Sequence, residues 1–199
     1  MKLLILILST LLLTAGCATD TTVNNIETWT KGCQEYQAQN EWWKARRSCQ
    51  RAALHKDYRF SPNATLWYEY GRTSGAICDF SEATKGLKRA LALDQENNGP
   101  VFQTYIELAR LHYDQGKYQD AVAYFKLGKA AIPEQAAVNG DPIGYAEILE
   151  EYAIALKHSN DVASAEKLTI QAKGLREANP NKKSNTDRTP YGKYCDQKS

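Results

Sequence analysis

The chain has 199 residues, enough for one domain, and its 25 Lys and Arg against 23 Asp and Glu give a formal net charge of +2. Loss of Lys2 with an N-terminal signal leaves +1, and so balanced a chain has no electrostatic case for nucleic acid, which needs clustered Lys and Arg. No sustained apolar–polar alternation marks strands, and beyond the N-terminal segment no apolar run is long enough to span a bilayer.

Met1 and Lys2 make a minimal charged start, and residues 3–13 are apolar except for Ser9 and Thr10. Eleven residues are too few to span a membrane as a helix, so this is the core of an export signal. The string Leu13-Thr14-Ala15-Gly16-Cys17 resembles the bacterial lipoprotein signal. That resemblance implies cleavage after residue 16 and thioether lipidation of Cys17, and several acyl chains at about 0.8 kcal/mol per buried methylene anchor stably. Ala18, where aspartate is absent, is the pattern that suggests outer-membrane sorting, with the rest of the chain on the periplasmic face. Residues 17–25 are then a lipidated polar tether whose last eight residues span at most about 28 Å.

Four helix pairs are predicted in order: 26–39 with 41–54, 64–77 with 81–93, 101–115 with 118–131, and 145–159 with 161–176. Ser61-Pro62-Asn63 and Asn97-Asn98-Gly99-Pro100 supply turn chemistry between pairs, and Asn139-Gly140-Asp141-Pro142 belongs to a longer loop. Residues 179–199 form a polar C-terminal tail, which ends in the aromatic string Tyr191-Gly192-Lys193-Tyr194-Cys195.

The pairs repeat one another. In residues 101–134 the small residues Ala109, Ala121 and Gly128 sit among Tyr105, Leu108, Tyr118 and Phe125. Shifting back 38 residues finds Gly71, Ala83 and Ala90 among Trp67, Tyr70, Phe80 and Leu87. A further 38 finds Cys33, Ala45 and Ala52 with Trp29, Gly32, Trp42 and Cys49; shifting forward 44 finds Ala153, Ala165 and Ala172 with Leu149, Tyr152, Val162 and Thr169. Antiparallel helices that cross closely need small residues at the contact and large ones around it. The pattern over residues 26–178 resembles the tetratricopeptide (TPR) repeat, which implies an all-α, TPR-like α-solenoid of about four helix-turn-helix units.

Cys17 apart, four cysteines remain, an even number for an exported chain. The TPR arrangement makes Cys33 and Cys49 face each other inside one hairpin, leaving Cys78 for Cys195. The second pairing requires the tail to run back along the array, and the residues after Pro180 reach about 50 Å. No Cys or Cys/His spacing suits a metal.

In TPR arrays the first helix of each pair lines a concave groove. That geometry points to Tyr68 and Arg72, then Gln103, Ile106, Arg110, Tyr113 and Asp114, then Glu150 and Lys157. Arg72 and Arg110 occupy equivalent positions, where they either hold a carboxylate or acidic peptide or pair with a neighbouring acid such as Asp114 or Glu150. His112 stands at a packing position and Glu150-Glu151 reads as a solvated helix face. No nucleophile elbow, phosphate loop or zinc-protease string occurs, so no catalytic residue, cofactor or small-molecule substrate is expected.

The combined resemblances imply a periplasmic adaptor at the outer membrane that binds a protein or peptide in its groove. The alternative is a structural assembly factor of a larger envelope complex that binds through its helix edges, which a tail lying in the groove favours. A Sel1-like β-lactam-binding enzyme is the weakest fit, because only the first repeat holds a cysteine pair.

Overall fold

The structure, a computed structural model, describes residues 20–55 and 63–197. The expected signal segment 1–16, Cys17 with its expected lipidation and the turn residue Pro62 lie outside the described residues.

Nine helices follow in order among the described residues: α1 (Asp20–Ala38), α2 (Trp42–Ala53), α3 (Ala64–Ala76), α4 (Phe80–Glu96), α5 (Val101–Asp114), α6 (Tyr118–Ala131), α7 (Glu134–Gly140), α8 (Pro142–His158) and α9 (Val162–Ala178). They stack as four antiparallel pairs, α1 with α2, α3 with α4, α5 with α6 and α8 with α9, each pair packed on the next. The fold is an all-α, TPR-like solenoid. Two departures from the expected boundaries stand out. Helix α1 begins at Asp20, inside the stretch expected to be tether, and the long third loop contains α7, with α8 starting at Pro142.

Local chemistry explains the repeated turns. The first helix of each pair ends in a left-handed residue: Asn40 (φ 58°), Cys78 (φ 70°), Gly116 (φ 71°) and Asn160 (φ 64°), spaced 38, 38 and 44 residues apart. After each, the next amide donates back across the turn, Glu41 to Tyr36, Asp79 to Ser74, Lys117 to His112 and Asp161 to Leu156, at 2.8 to 3.0 Å. Gly and Asn adopt this conformation cheaply, and cysteine does not. Asp79, Asp141 and Asp161 then cap α4, α8 and α9 through their side chains.

All twelve small positions of the repeat are buried, from Cys33 at the first pair to Ala172 at the last. Tyr70, Leu87, Leu108, Phe125 and Leu149 fill the space around them with no exposed area. Val162 and Thr169 depart from the pattern; both are exposed, because no further pair covers α9. In the first pair Gly32 offers no side chain, and the Cys33–Cys49 disulfide joins α1 to α2. Closing so short a loop is worth on the order of 3 kcal/mol in the entropic account.

The tightest crossing is between α3 and α4. A Cβ added at Gly86 would lie 2.9 Å from the Gly71 backbone, whereas one added at Gly174 on exposed α9 meets nothing within 4 Å. Urea unfolding of Gly86→Ala should show a loss of about 1–3 kcal/mol. Gly174→Ala should gain about 0.5–1 kcal/mol, since glycine is costly in a helix interior. Equal shifts of the same sign would contradict the close-crossing account.

Candidate functional site

The inner layer of the stack is formed by α3, α5 and α8, with α5 touching both α3 and α8, while α4, α6 and α9 lie outside. Glutamates recur on this inner layer at one register: Glu69, Glu107 and Glu151, 38 and 44 residues apart. Arginine stands three residues after the first two, Arg72 and Arg110. In the last repeat the equivalent position holds Ile154.

The C-terminal segment lies along this face as an extended strap, running from the last repeat back to the first. Ser184 Oγ and the Asn185 amide donate to Asp141 Oδ2 at 3.1 and 3.0 Å, fixing the strap at the start of α8. Arg188 then takes the place of the missing arginine. Its Nε pairs with Glu151, and its Nη atoms make a forked contact to Asp114 at 2.7 and 2.8 Å. Thr189, fully buried, accepts from Arg72 Nε at 2.6 Å and donates to Glu107 Oε2 at 2.6 Å. Tyr191 donates to the same Glu107 oxygen at 2.8 Å. Its ring lies against Gly75, where an added Cβ would come within 2.4 Å. The Gly192 and Tyr194 amides donate to the Gly75 and Ala76 carbonyls, each at 3.0 Å. Tyr194 stacks on Trp42, Cys195 is bonded to Cys78, and Gln197 accepts from the Trp43 amide, supplying the cap that Glu41 does not give α2.

The charges alternate along the groove: Glu69, Arg72, Glu107, Arg110, Glu151, Arg188. Burial alone would push the Glu107 carboxyl up, but Arg72 and Arg110, with the hydroxyls of Thr189 and Tyr191, hold it below the usual carboxylate range. Burial also opposes the charge on Arg188, and Asp114 and Glu151 outweigh it. Burial is the main cause that raises Tyr191, with the neighbouring Glu107 adding to it, so its phenol stays a donor.

Several expectations about the groove change in this light. Arg72 and Arg110 border the cavity left beside the strap, but their guanidiniums are paired rather than free. Arg72 pairs with Glu69 and Glu107, and Arg110 with Glu107 and Glu151, rather than with Asp114 or Glu150. Asp114 is held by Arg188, and Glu150 by Arg176 of α9 at 2.6 Å. Glu151 is not a solvated face residue: its side chain is 13% exposed between two arginines. Ile106 is a core residue packed against Gly128, and Lys157 is exposed. His112 stacks on Tyr124 with ring centroids 5.5 Å apart, as a packing residue would. Tyr68, Arg72, Gln103, Ile106 and Arg110 together line a cavity of about 510 Å³ beside the strap, and Tyr113 lies beneath the Arg188 guanidinium. Arg188, Thr189, Tyr191, Glu107 and Gly75 were not among the expected site residues.

The strap's dependence on Gly75 and Glu107 is measurable by amide hydrogen exchange. In Gly75→Ala the Tyr191 ring must leave its seat, and exchange at Gly192 and Tyr194 should accelerate about tenfold or more. A carboxylate held low contributes stability fully present above its ordinary value of 4.5 and lost as pH falls through its lowered value. Protection of these two amides should therefore be constant from neutrality to about pH 5 and decline below 4.5. Protection unchanged in Gly75→Ala would contradict this seating of the strap.

No protein-family model matches the sequence, and no curated protein matches it. Solved structures do. BtubC (BKLC) from P. vanneervenii is 18% identical with a TM-score of 0.71, the match covering 86% of this chain and 70% of that one. Two structures of MamA are similar as well. One is 18% identical, TM-score 0.64, with 83% and 85% covered; the other is 17% identical, TM-score 0.62, with 83% and 81% covered. At such identities the likeness is one of fold, and it supports the TPR-type all-α solenoid.

Proposed function

We propose that this chain is a protein-binding helical-repeat adaptor, anchored by lipid on Cys17 at the periplasmic face of the outer membrane. It acts as a scaffold and not as an enzyme. The lipoprotein-like string ending in Cys17 supports the anchor, and the likeness to BtubC and MamA supports a repeat scaffold.

The observation that carries this reading of where the partner binds is the strap. With residues 184–197 seated along α3, α5 and α8 and bonded at Cys78, much of the groove is occupied by the chain itself, leaving a cavity of about 510 Å³ beside it. Partner contact therefore falls on the helix edges and outer faces, the assembly-factor mode, rather than on a peptide gripped by Arg72 and Arg110. Leu127 on α6 and Ile170 on α9, 47% and 72% exposed, offer apolar area there.

A photoreactive side chain placed at Leu127, Ile170 or Gln103 in bacterial cells tests this. The outer positions should give adducts with a defined envelope protein, and Gln103 in the groove should give none while the tail bridge is closed. Adducts from Gln103 alone would contradict edge binding. Cys17→Ser should move the protein from the membrane to the soluble fraction, and its retention in the membrane would contradict the lipid anchor.

A further inference from the structure

The two disulfides sit in different surroundings. Cys33 and Cys49 are buried at 1% and 0% exposure, whereas Cys195 is exposed and Cys78 half-buried. Cys78 also holds the left-handed turn position that the other repeats give to Asn or Gly, so its backbone is the least comfortable of the four. The exposed bridge is the covalent end of the strap; Ser184 and Asn185 at Asp141 hold the other end.

Beneath the strap the groove has a definite chemistry. Without Arg188, Glu69, Glu107, Glu151 and Asp114 stand against only Arg72 and Arg110. A slot at Gly75 accepts an aromatic ring whose hydroxyl reaches Glu107. Both features recognise one arrangement: an arginine followed three residues later by a tyrosine, in an extended backbone.

We propose, on the protein-binding reading above, that the strap is a disulfide-latched occupant of a second interaction surface. Opening the Cys78–Cys195 bridge frees the groove for an extended segment of a partner protein that presents arginine and, three residues on, tyrosine. A foreign segment fits better than a second copy's strap, because each strap is clipped to its own α8 at Asp141 before it reaches the groove. The latch opens by exchange with a dithiol protein. Its thiolate attacks the exposed Cys195 sulfur, a mixed disulfide forms, and Cys78 leaves as a thiolate that takes up a proton. The donor's second thiol then resolves the mixed disulfide, leaving Cys195 reduced and the donor oxidised, a two-electron exchange. The buried Cys33–Cys49 pair is shielded from that attack.

A labelled peptide with the sequence of residues 186–194 is the probe, and fluorescence anisotropy the readout. Because a tethered strap competes at high effective concentration, the receptor is the full chain carrying Arg188→Ala, Tyr191→Ala and Cys195→Ser together. Unchanged helical circular dichroism and an intact Cys33–Cys49 bridge verify its fold. The peptide should bind this protein saturably and at least about tenfold more tightly than the same peptide with arginine replaced by glutamate. Oxidised wild-type protein should not bind it, and a mild dithiol that opens only Cys78–Cys195 should increase binding. Failure of the folded variant to bind, or equal binding of the glutamate peptide, would overturn the proposal. A dimer formed after reduction and reoxidation by oxygen, joined by Cys78–Cys195 between chains, would assign the groove to a second copy and overturn it too. Either failure leaves edge binding from Leu127 and Ile170 standing as a separate result.

Discussion

A row of alternating carboxylates and guanidiniums along the inner helices is the constraint on which the rest depends. Glu107 and Glu151 are each shared by two arginines, Glu69 is held by Arg72 and the Gln37 amide, and each arginine bridges successive repeats. Buried charge is tolerated only when fully paired, since an unpartnered ion in such a place costs several kcal/mol. Without the strap the row would end in Glu151 held by Arg110 alone and in Asp114 without its guanidinium, because the last repeat has Ile154 where the others have arginine. Arg188 meets that need from the far end of the chain. The tail is held where it is by a charge deficit that the repeat pattern itself creates.

Packing sets the register that makes the row possible. Twelve buried small residues fix how closely the paired helices approach, and the recurring left-handed turns fix where each second helix starts. With helices locked in that frame, residues 38 or 44 apart fall at equivalent depths, and their side chains meet. Gly75 shows the same economy on the strap side: a helix residue without a side chain leaves the seat that Tyr191 fills. The buried bridge replaces packing that the first pair lacks. The exposed one ties down a segment already held by hydrogen bonds and ion pairs.

Much of this was legible in the sequence because it depends on local rules. The small positions from Cys33 to Ala172 announce a helical stack by their spacing, whereas the turn residues Asn40 and Asn160, just as regularly placed, went unread. The groove was less legible. Arg72 and Arg110 were seen as equivalent, but Glu69, Glu107 and Glu151 share a register just as regular, and that signal would have identified their partners. Arg188 and Thr189 sit in a polar stretch with the composition of a loose tail, and nothing local marks them as buried. Only Tyr191, Tyr194 and Cys195 hinted at docking, because aromatic residues and a bonded cysteine need a surface to meet. The exposure of Val162 and Thr169 follows from where the array stops, and helix α7 from the extra length between the third and fourth pairs, rather than from the repeat.

For function, a stack whose groove is partly occupied by its own chain differs from one that is open: its outer faces are always presented, while the part of its inner face beneath Arg188, Thr189 and Tyr191 is presented only when the strap leaves. The most direct test of the central pairing is a double-mutant cycle by urea unfolding with Arg188→Ala, Glu151→Gln and the two combined. The account predicts a coupling of at least about 1 kcal/mol between these residues, 37 positions apart in the chain. Strictly additive losses, with a coupling near zero, would contradict it.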